Sequence, residues 1–194
     1  MKRRRVSMRT MFRNLILWVS ASAFGAIPQF QLRDTNGVAH TAEEWSGSKA
    51  ILLFFVTIDC PVTNSYVPEM NRIARDYAPQ GVRTYAVQAD TSVADTDVGH
   101  YVREYRYQFP LLFDPRQILV EFSGATAMPQ AALRAPDGRV LYRGRIDNRV
   151  EDFGRQRPEA TAHDLRAALD AFLAGKPVGV AATKSIGCAI PKFK

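Results

Sequence analysis

The chain has 194 residues, a formal net charge of +7, and 46% apolar residues. That length and composition suit one ordinary domain with extensions and exclude collagen-like, disordered and membrane-bundle classes. Lys2, Arg3, Arg4, Arg5, Arg9 and Arg13 carry most of the excess, so the rest of the chain holds only about +1 and offers no basic body for nucleic acid.

The charged start runs into "LILWVSASAFGA", Leu15 to Ala26. This apolar stretch is short for a bilayer span, which takes about 20 residues. Its small residues, Ala21-Ser22-Ala23 and Phe24-Gly25-Ala26, suit a cleavage site. Residues 1–26 therefore read as a secretory signal peptide, which predicts an exported, periplasmic or otherwise extracytoplasmic protein. An uncleaved leader would be its one route to a membrane. Export would place Cys60 and Cys188 where disulfides persist. Two cysteines are too few for a disulfide scaffold, so they pair once, or one or both are reactive.

After the leader, "QFQLRDTNG" alternates and ends on a turn signal. "AILLFFVT", Ala50 to Thr57, is a continuous apolar run and predicts a strand buried on both faces. Val67, Met70, Ile73, Ala74 and Tyr77 recur at helical spacing, predicting a helix from about Asn64 or Ser65 to Tyr77, with Pro68 inside it. "VRTYAVQAD" predicts a second strand, Val98 to Tyr107 a helix, "FPLLFD" a short strand, and "PRQILVEFSG" a short helix. "QAALRA", "PDG" and "RVLYRGRI" spell out a hairpin. Residues 148–160 read as a polar loop. Thr161 is expected to cap a last helix through Leu173, and the remainder to Lys194 reads as an irregular tail carrying Cys188. The order predicts an α/β sandwich with a mixed sheet, parallel first and antiparallel at the hairpin.

Cys60 falls between the buried strand and a helix start. There, unpaired backbone N–H groups and the helix dipole favour a thiolate, the form that attacks a disulfide or peroxide. Thr57 or Thr63 could donate a hydrogen bond to it, whereas a charge on Asp59 would oppose ionisation. The alternative is a small buried hydrophobe. Cys188 could be an unpartnered tail residue, an intermolecular partner, or a resolving cysteine for Cys60. Fourteen residues separate it from Ala174, and at about 3.3 Å per residue the tail could reach roughly 45 Å. His40, His100 and His163 show no metal-ligand spacing, and no metal or cofactor is expected. Arg143 and Arg145 of "YRGRID" could bind an anion or form an ion-paired face.

Four features resemble the redoxin branch of the thioredoxin-like superfamily, the alkyl hydroperoxide reductase and thiol-specific antioxidant group. They are the entry phrase "IPQFQLRDTNG", the pattern Thr57-x-x-Cys60-Pro61, the helix proline Pro68, and Met128-Pro129 ahead of the hairpin, where that superfamily places a cis-proline loop facing the cysteine. The resemblance covers roughly residues 27–175 and implies a thioredoxin-like sandwich, followed by a tail over residues 176–194. It also extends to a group of exported redoxins sharing the "CPVTN", "YRGRID" and "GCAI" phrases.

The resemblance implies an exported thiol oxidoreductase, peroxiredoxin-like or acting by thiol–disulfide exchange. Cys60 would be its nucleophile, Cys188 its candidate resolver, Thr57 and Thr63 site polar groups, and Pro61, Met128 and Pro129 the substrate border. Its partner would be an external thiol reductant or a disulfide-bearing protein. The chain departs from the family patterns in three places. Thr63 replaces the second cysteine of C-x-x-C, Leu53 replaces a peroxiredoxin proline, and Pro129 and Gln130 stand where the peroxidase arginine is expected, leaving Arg134, Arg143 and Arg145 as candidates. The competing reading is a non-enzymatic redoxin-fold binding or assembly module.

Overall fold

The structure, a computed structural model, describes residues 27–192. The expected leader, residues 1–26, lies outside them. The frame is a five-stranded sheet built on strand β3, Ala50–Val56, in which every residue is buried. β3 runs parallel to β4 (Val82–Gln88), which runs parallel to β5 (Leu111–Phe113). On its other side β3 is antiparallel to β7 (Gln130–Arg134), which pairs antiparallel with β8 (Val140–Gly144). The spatial order β5-β4-β3-β7-β8 is the expected mixed sheet, parallel first and antiparallel at the hairpin.

Strand periodicity divides the apolar run of β3 between two cores. Leu52, Phe54 and Val56 face a core with Met70 and Ile73 of helix α1 (Pro61–Tyr77), Val98 of α2 (Asp95–Glu104), and Leu165 and Leu169 of α4 (Asp164–Leu173). Ile51, Leu53 and Phe55 face the opposite core, with Trp45, Tyr85, and Leu119 of α3 (Ile118–Ser123). The buried Leu53 is a packing residue of that second core. The short antiparallel pair β1 (Gln31–Arg33) and β2 (Ala39–Thr41) lies ahead of β3.

Helix starts differ from the sequence expectation for local reasons. α1 begins at Pro61 rather than Asn64, because proline is favoured at the first helical position and Cys60 takes the N-cap. Pro68 lies on the exposed side of α1, and the helix runs through it. α3 begins at Ile118 because Gln117 adopts φ 53°, and the Asp114 carboxylate accepts from the N–H groups of Ile118, Leu119 and Val120 at 2.8, 2.8 and 3.2 Å. Thr161 does not cap α4, whose N-cap is His163. Thr161 is instead tied to Asn148, whose side chain accepts from the Thr161 N–H and donates to its hydroxyl. The expected polar loop over 148–160 contains a hairpin, β9 (Val150–Asp152) with β10 (Arg155–Gln156), turning at Gly154 with φ +74°.

That hairpin is pinned to α1 by a buried polar contact. Tyr66 of α1 donates to the buried Asp147 carboxylate at 2.6 Å, and the Arg149 N–H donates to the same oxygen at 2.8 Å. Tyr66→Phe removes one donor from a buried carboxylate, an arrangement that costs about 1–3 kcal/mol. Urea denaturation should show that loss, and a loss below about 0.5 kcal/mol would mean that solvent replaces the hydroxyl.

Candidate active site: a thiol pair under the C-terminal tail

β3 ends at Val56, and the chain crosses three residues, Thr57 to Asp59, to Cys60, the N-cap of α1. The backbone of this junction is satisfied in part by Asn64 N–H donating to Cys60 C=O at 3.1 Å. Cys60 itself has no solvent exposure. The peptide Met128–Pro129 is cis and follows the short strand β6 (Ala127–Met128). It brings the Met128 carbonyl within 3.3 Å of Cys60 Sγ, where the protonated thiol can donate to it.

The tail is not irregular at this point. Residues 181–183 run beside β8: Arg143 N–H donates to Ala181 C=O at 2.9 Å, and Thr183 N–H donates to Arg143 C=O at 3.1 Å. The chain then crosses to β6, where Cys188–Ala189 form a strand, β11, antiparallel to it in the register Cys188↔Met128 and Ala189↔Ala127. Ile190 N–H donates to Thr126 C=O at 3.1 Å, and the Gln117 side chain donates to Pro191 C=O at 2.6 Å. This docking places Cys188 Sγ 2.6 Å from Cys60 Sγ, well inside non-bonded sulfur contact and approaching the S–S bond length of about 2.05 Å.

The two sulfurs are electrostatically unequal. Burial pushes the Cys60 thiol up, but the Cys188 thiol, the Thr63 N–H and hydroxyl, and the Cys188 backbone all favour its anion, and the net shift is downward. Cys188 is pushed up to about 12 by burial, by its hydrogen bond to Cys60 and by the Cys60 charge. Of the two sulfurs, Cys60 is the one whose anion is favoured, and Cys188 is the one that keeps its proton. Thiolate absorbance of the reduced protein should show two separated transitions, the lower belonging to Cys60 and the upper, near 12, to Cys188. Cys188→Ala removes a hydrogen bond to the anion, so the Cys60 transition should move up. An unmoved transition would assign the stabilisation to Thr63 and to the backbone N–H at position 188.

The other expected site residues are distributed unevenly. Thr63 is fully buried beside the sulfur, but its hydroxyl meets full hydrogen-bond geometry with no partner, and the same holds for the buried Thr57 hydroxyl. Pro61 is exposed, whereas Met128 and Pro129 are buried. Asp59 is exposed and contributes nothing resolved to the Cys60 shift. None of the candidate arginines hydrogen-bonds to Cys60. Arg134 is held by the carbonyls of Gly138 and Phe122, Arg143 donates to Gly124 C=O, and Arg145 pairs with Asp164 at 2.7 Å. Near the thiol, Asn64 accepts from Tyr101 at 2.8 Å, a contact between distant segments that no local sequence signal announces.

A thiol at a helix N-cap and a cis-proline loop against it sit on the mixed sheet expected of a redoxin fold, and the comparisons with known proteins agree with that fold. Among solved structures, a hypothetical protein from Sinorhizobium meliloti superposes with TM-score 0.72 at 33% identity, over 84% of this chain and 90% of that one. An uncharacterized conserved protein from Geobacillus kaustophilus gives TM-score 0.73 at 28% identity, over 86% and 89%. The thiol-disulfide oxidoreductase ResA of Bacillus thuringiensis is 27% identical over 114 residues, 59% of this chain and 64% of that protein. The chain therefore spans just under two thirds of that curated relative's length. The AhpC/TSA family profile covers residues 25–143, from ahead of β1 to the end of the hairpin that follows the cis-proline. With more than half of its length matched, Cys60 and its loop included, the chain belongs to the AhpC/TSA family.

Proposed function

We infer that the protein is an exported thiol–disulfide oxidoreductase in which Cys60 is the nucleophile and Cys188 the resolving cysteine. The observation that carries this reading is the 2.6 Å separation of the two sulfurs across 128 residues of sequence, held by the β6–β11 strand pair. The Cys60 thiolate attacks a substrate disulfide, its sulfur–sulfur bond breaks, and one substrate sulfur leaves as a thiolate that takes a proton. Cys188 then loses its proton, attacks Cys60 Sγ, and displaces the second substrate thiolate, leaving a Cys60–Cys188 disulfide. An external thiol donor returns the pair to the dithiol.

Exchange with disulfides is favoured over peroxide reduction because none of the candidate arginines is hydrogen-bonded at the thiol, and ResA-type relatives carry the thiol–disulfide name. The export half of the reading rests on the leader's composition. Among the described residues, no helix is long and apolar enough to cross a membrane.

Mass spectrometry of the mature protein without reductant tests the reading. Stoichiometric disulfide should produce a Cys60–Cys188 bond that dithiothreitol reverses and that Cys60→Ser abolishes. Thiols inert to disulfides and peroxide across pH 6–9 would overturn it in favour of a non-enzymatic module. Formation of the bond with peroxide alone would move the substrate to the peroxidase side.

A further inference from the structure

Of the two arginines in "YRGRID", Arg145 is spent on Asp164, but Arg143 pairs with no carboxylate among the described residues. Arg143 lines a cavity of about 330 Å³ between the tail and the sheet, at the small end of the range of about 300–1,000 Å³ usual for ligand pockets. Thr126, Gln130 and Arg143 supply one wall, and Thr183, Lys184 and Ser185 of the tail supply the other, with no acidic side chain on either. Lys184 is exposed and forms no ion pair among the described residues. Gln130 is only 5% exposed; its carbonyl oxygen accepts from the Thr126 N–H at 2.8 Å, and its amide nitrogen has no partner among the described residues. The buried Ser185 hydroxyl has none either. Two cations, a buried amide donor and a hydroxyl thus surround a space that holds no counter-charge. The excess is felt nearby, where burial and the Arg143 charge push Arg134 down to about 10.

We propose that this cavity binds a small tetrahedral oxyanion, inorganic phosphate or the phosphate of a small ester, and that the bound anion clamps the tail over Cys60. The donors stand on two walls, which suits a group with oxygens on every side better than a planar carboxylate. One wall is the tail itself, so the site is complete only while residues 183–185 are docked. An anion that binds the docked form alone shifts the tail towards docking by the factor 1 + [L]/Kd. It therefore holds Cys188 beside Cys60 and withholds Cys60 from solvent. The site does not depend on which reaction Cys60 performs.

The test uses the reduced full chain. Phosphate is titrated by calorimetry at an ionic strength held constant with sodium chloride, and Cys60 is labelled with iodoacetamide, with peptide mapping to separate it from Cys188. At a phosphate concentration about ten times its Kd, labelling of Cys60 should slow about elevenfold. Lys184→Gln removes an exposed charge and should weaken binding about fivefold. Arg143→Gln removes a two-pronged donor and should weaken it about tenfold or more. Lys176→Gln, outside the cavity, should change neither readout. Glycerol 3-phosphate is the second probe: tighter binding than phosphate assigns the site to an organic ester, and equal or weaker binding assigns it to the free ion. Acetate binding as tightly as phosphate would overturn the tetrahedral assignment. Equal phosphate affinity in the parent and all three variants would overturn the site, and binding without slowed labelling would overturn the clamp.

Discussion

Cys60→Ser lowers disulfide-reducing activity about a thousandfold or more, the scale expected when a nucleophile is removed. The substitution separates chemistry from folding. Serine is close to isosteric at a site with no exposure, and it is a favoured N-cap residue, so α1 keeps its start. What it lacks is an accessible anion, because an alcohol holds its proton far more tightly than a thiol. The Thr63 and Cys188 groups that favour a thiolate cannot bring a hydroxyl into the same range. Cys188→Ser should behave differently. Its first attack on a small disulfide persists, and the reaction then stops at a mixed disulfide on Cys60, visible as an added mass in a single-turnover quench. The opposite pattern, with Cys60→Ser active and Cys188→Ser dead, would pass the nucleophile's role to the tail.

The main architecture could be read from the sequence because its signals are local. The seven apolar residues of β3, the helical spacing of Val67, Met70, Ile73 and Tyr77, and the turn at Pro136-Asp137-Gly138 each report on their own neighbourhood, and the sheet follows from their order. Cys60 could be placed on the same grounds, since it lies at a strand-to-helix junction. Helix starts were harder, because caps such as Asp114 and the left-handed Gln117 depend on side-chain geometry.

Cys188 could be singled out, but the tail's path could not be read. Residues 176–194 contain no run of periodic apolar residues, and a two-residue strand carries almost no pattern of its own. Its order comes from partners on β6 and β8, whose backbone groups lie far away in sequence. The glycines were the available signal. Gly144 and Gly187 sit where two backbones approach too closely for a Cβ, a requirement that becomes visible only when both strands are in place.

Gly144→Ala should therefore slow closure of the Cys60–Cys188 bond about a hundredfold or more while leaving the sheet intact. A Cβ at position 144 would lie 2.7 and 2.8 Å from the Thr183 carbonyl oxygen and nitrogen, and closer still to its hydroxyl. β8 is locked to β7 by its ladder, so the tail is the element that yields. With it go the hydrogen bond from the Arg145 N–H to the Thr183 hydroxyl at 3.0 Å, the 2.6 Å contact between the Tyr142 and Thr183 hydroxyls, and the two backbone bonds to Arg143. Cys188 then changes from a group fixed beside Cys60 to one on a flexible tether. Well-oriented groups reach effective molarities of about 10⁵ M, whereas short flexible linkers supply about millimolar concentrations, so a hundredfold loss is a modest share of that range. Attack of Cys60 on a small disulfide should quicken in the same variant, because its cover has lifted. Thr183→Ala added to Gly144→Ala should not restore closure, since the clashes with the Thr183 backbone remain. Quenched-flow mass spectrometry reads both rates. A closure rate unchanged by Gly144→Ala would mean that the β6–β11 pairing alone positions Cys188 and that the contacts along β8 are dispensable.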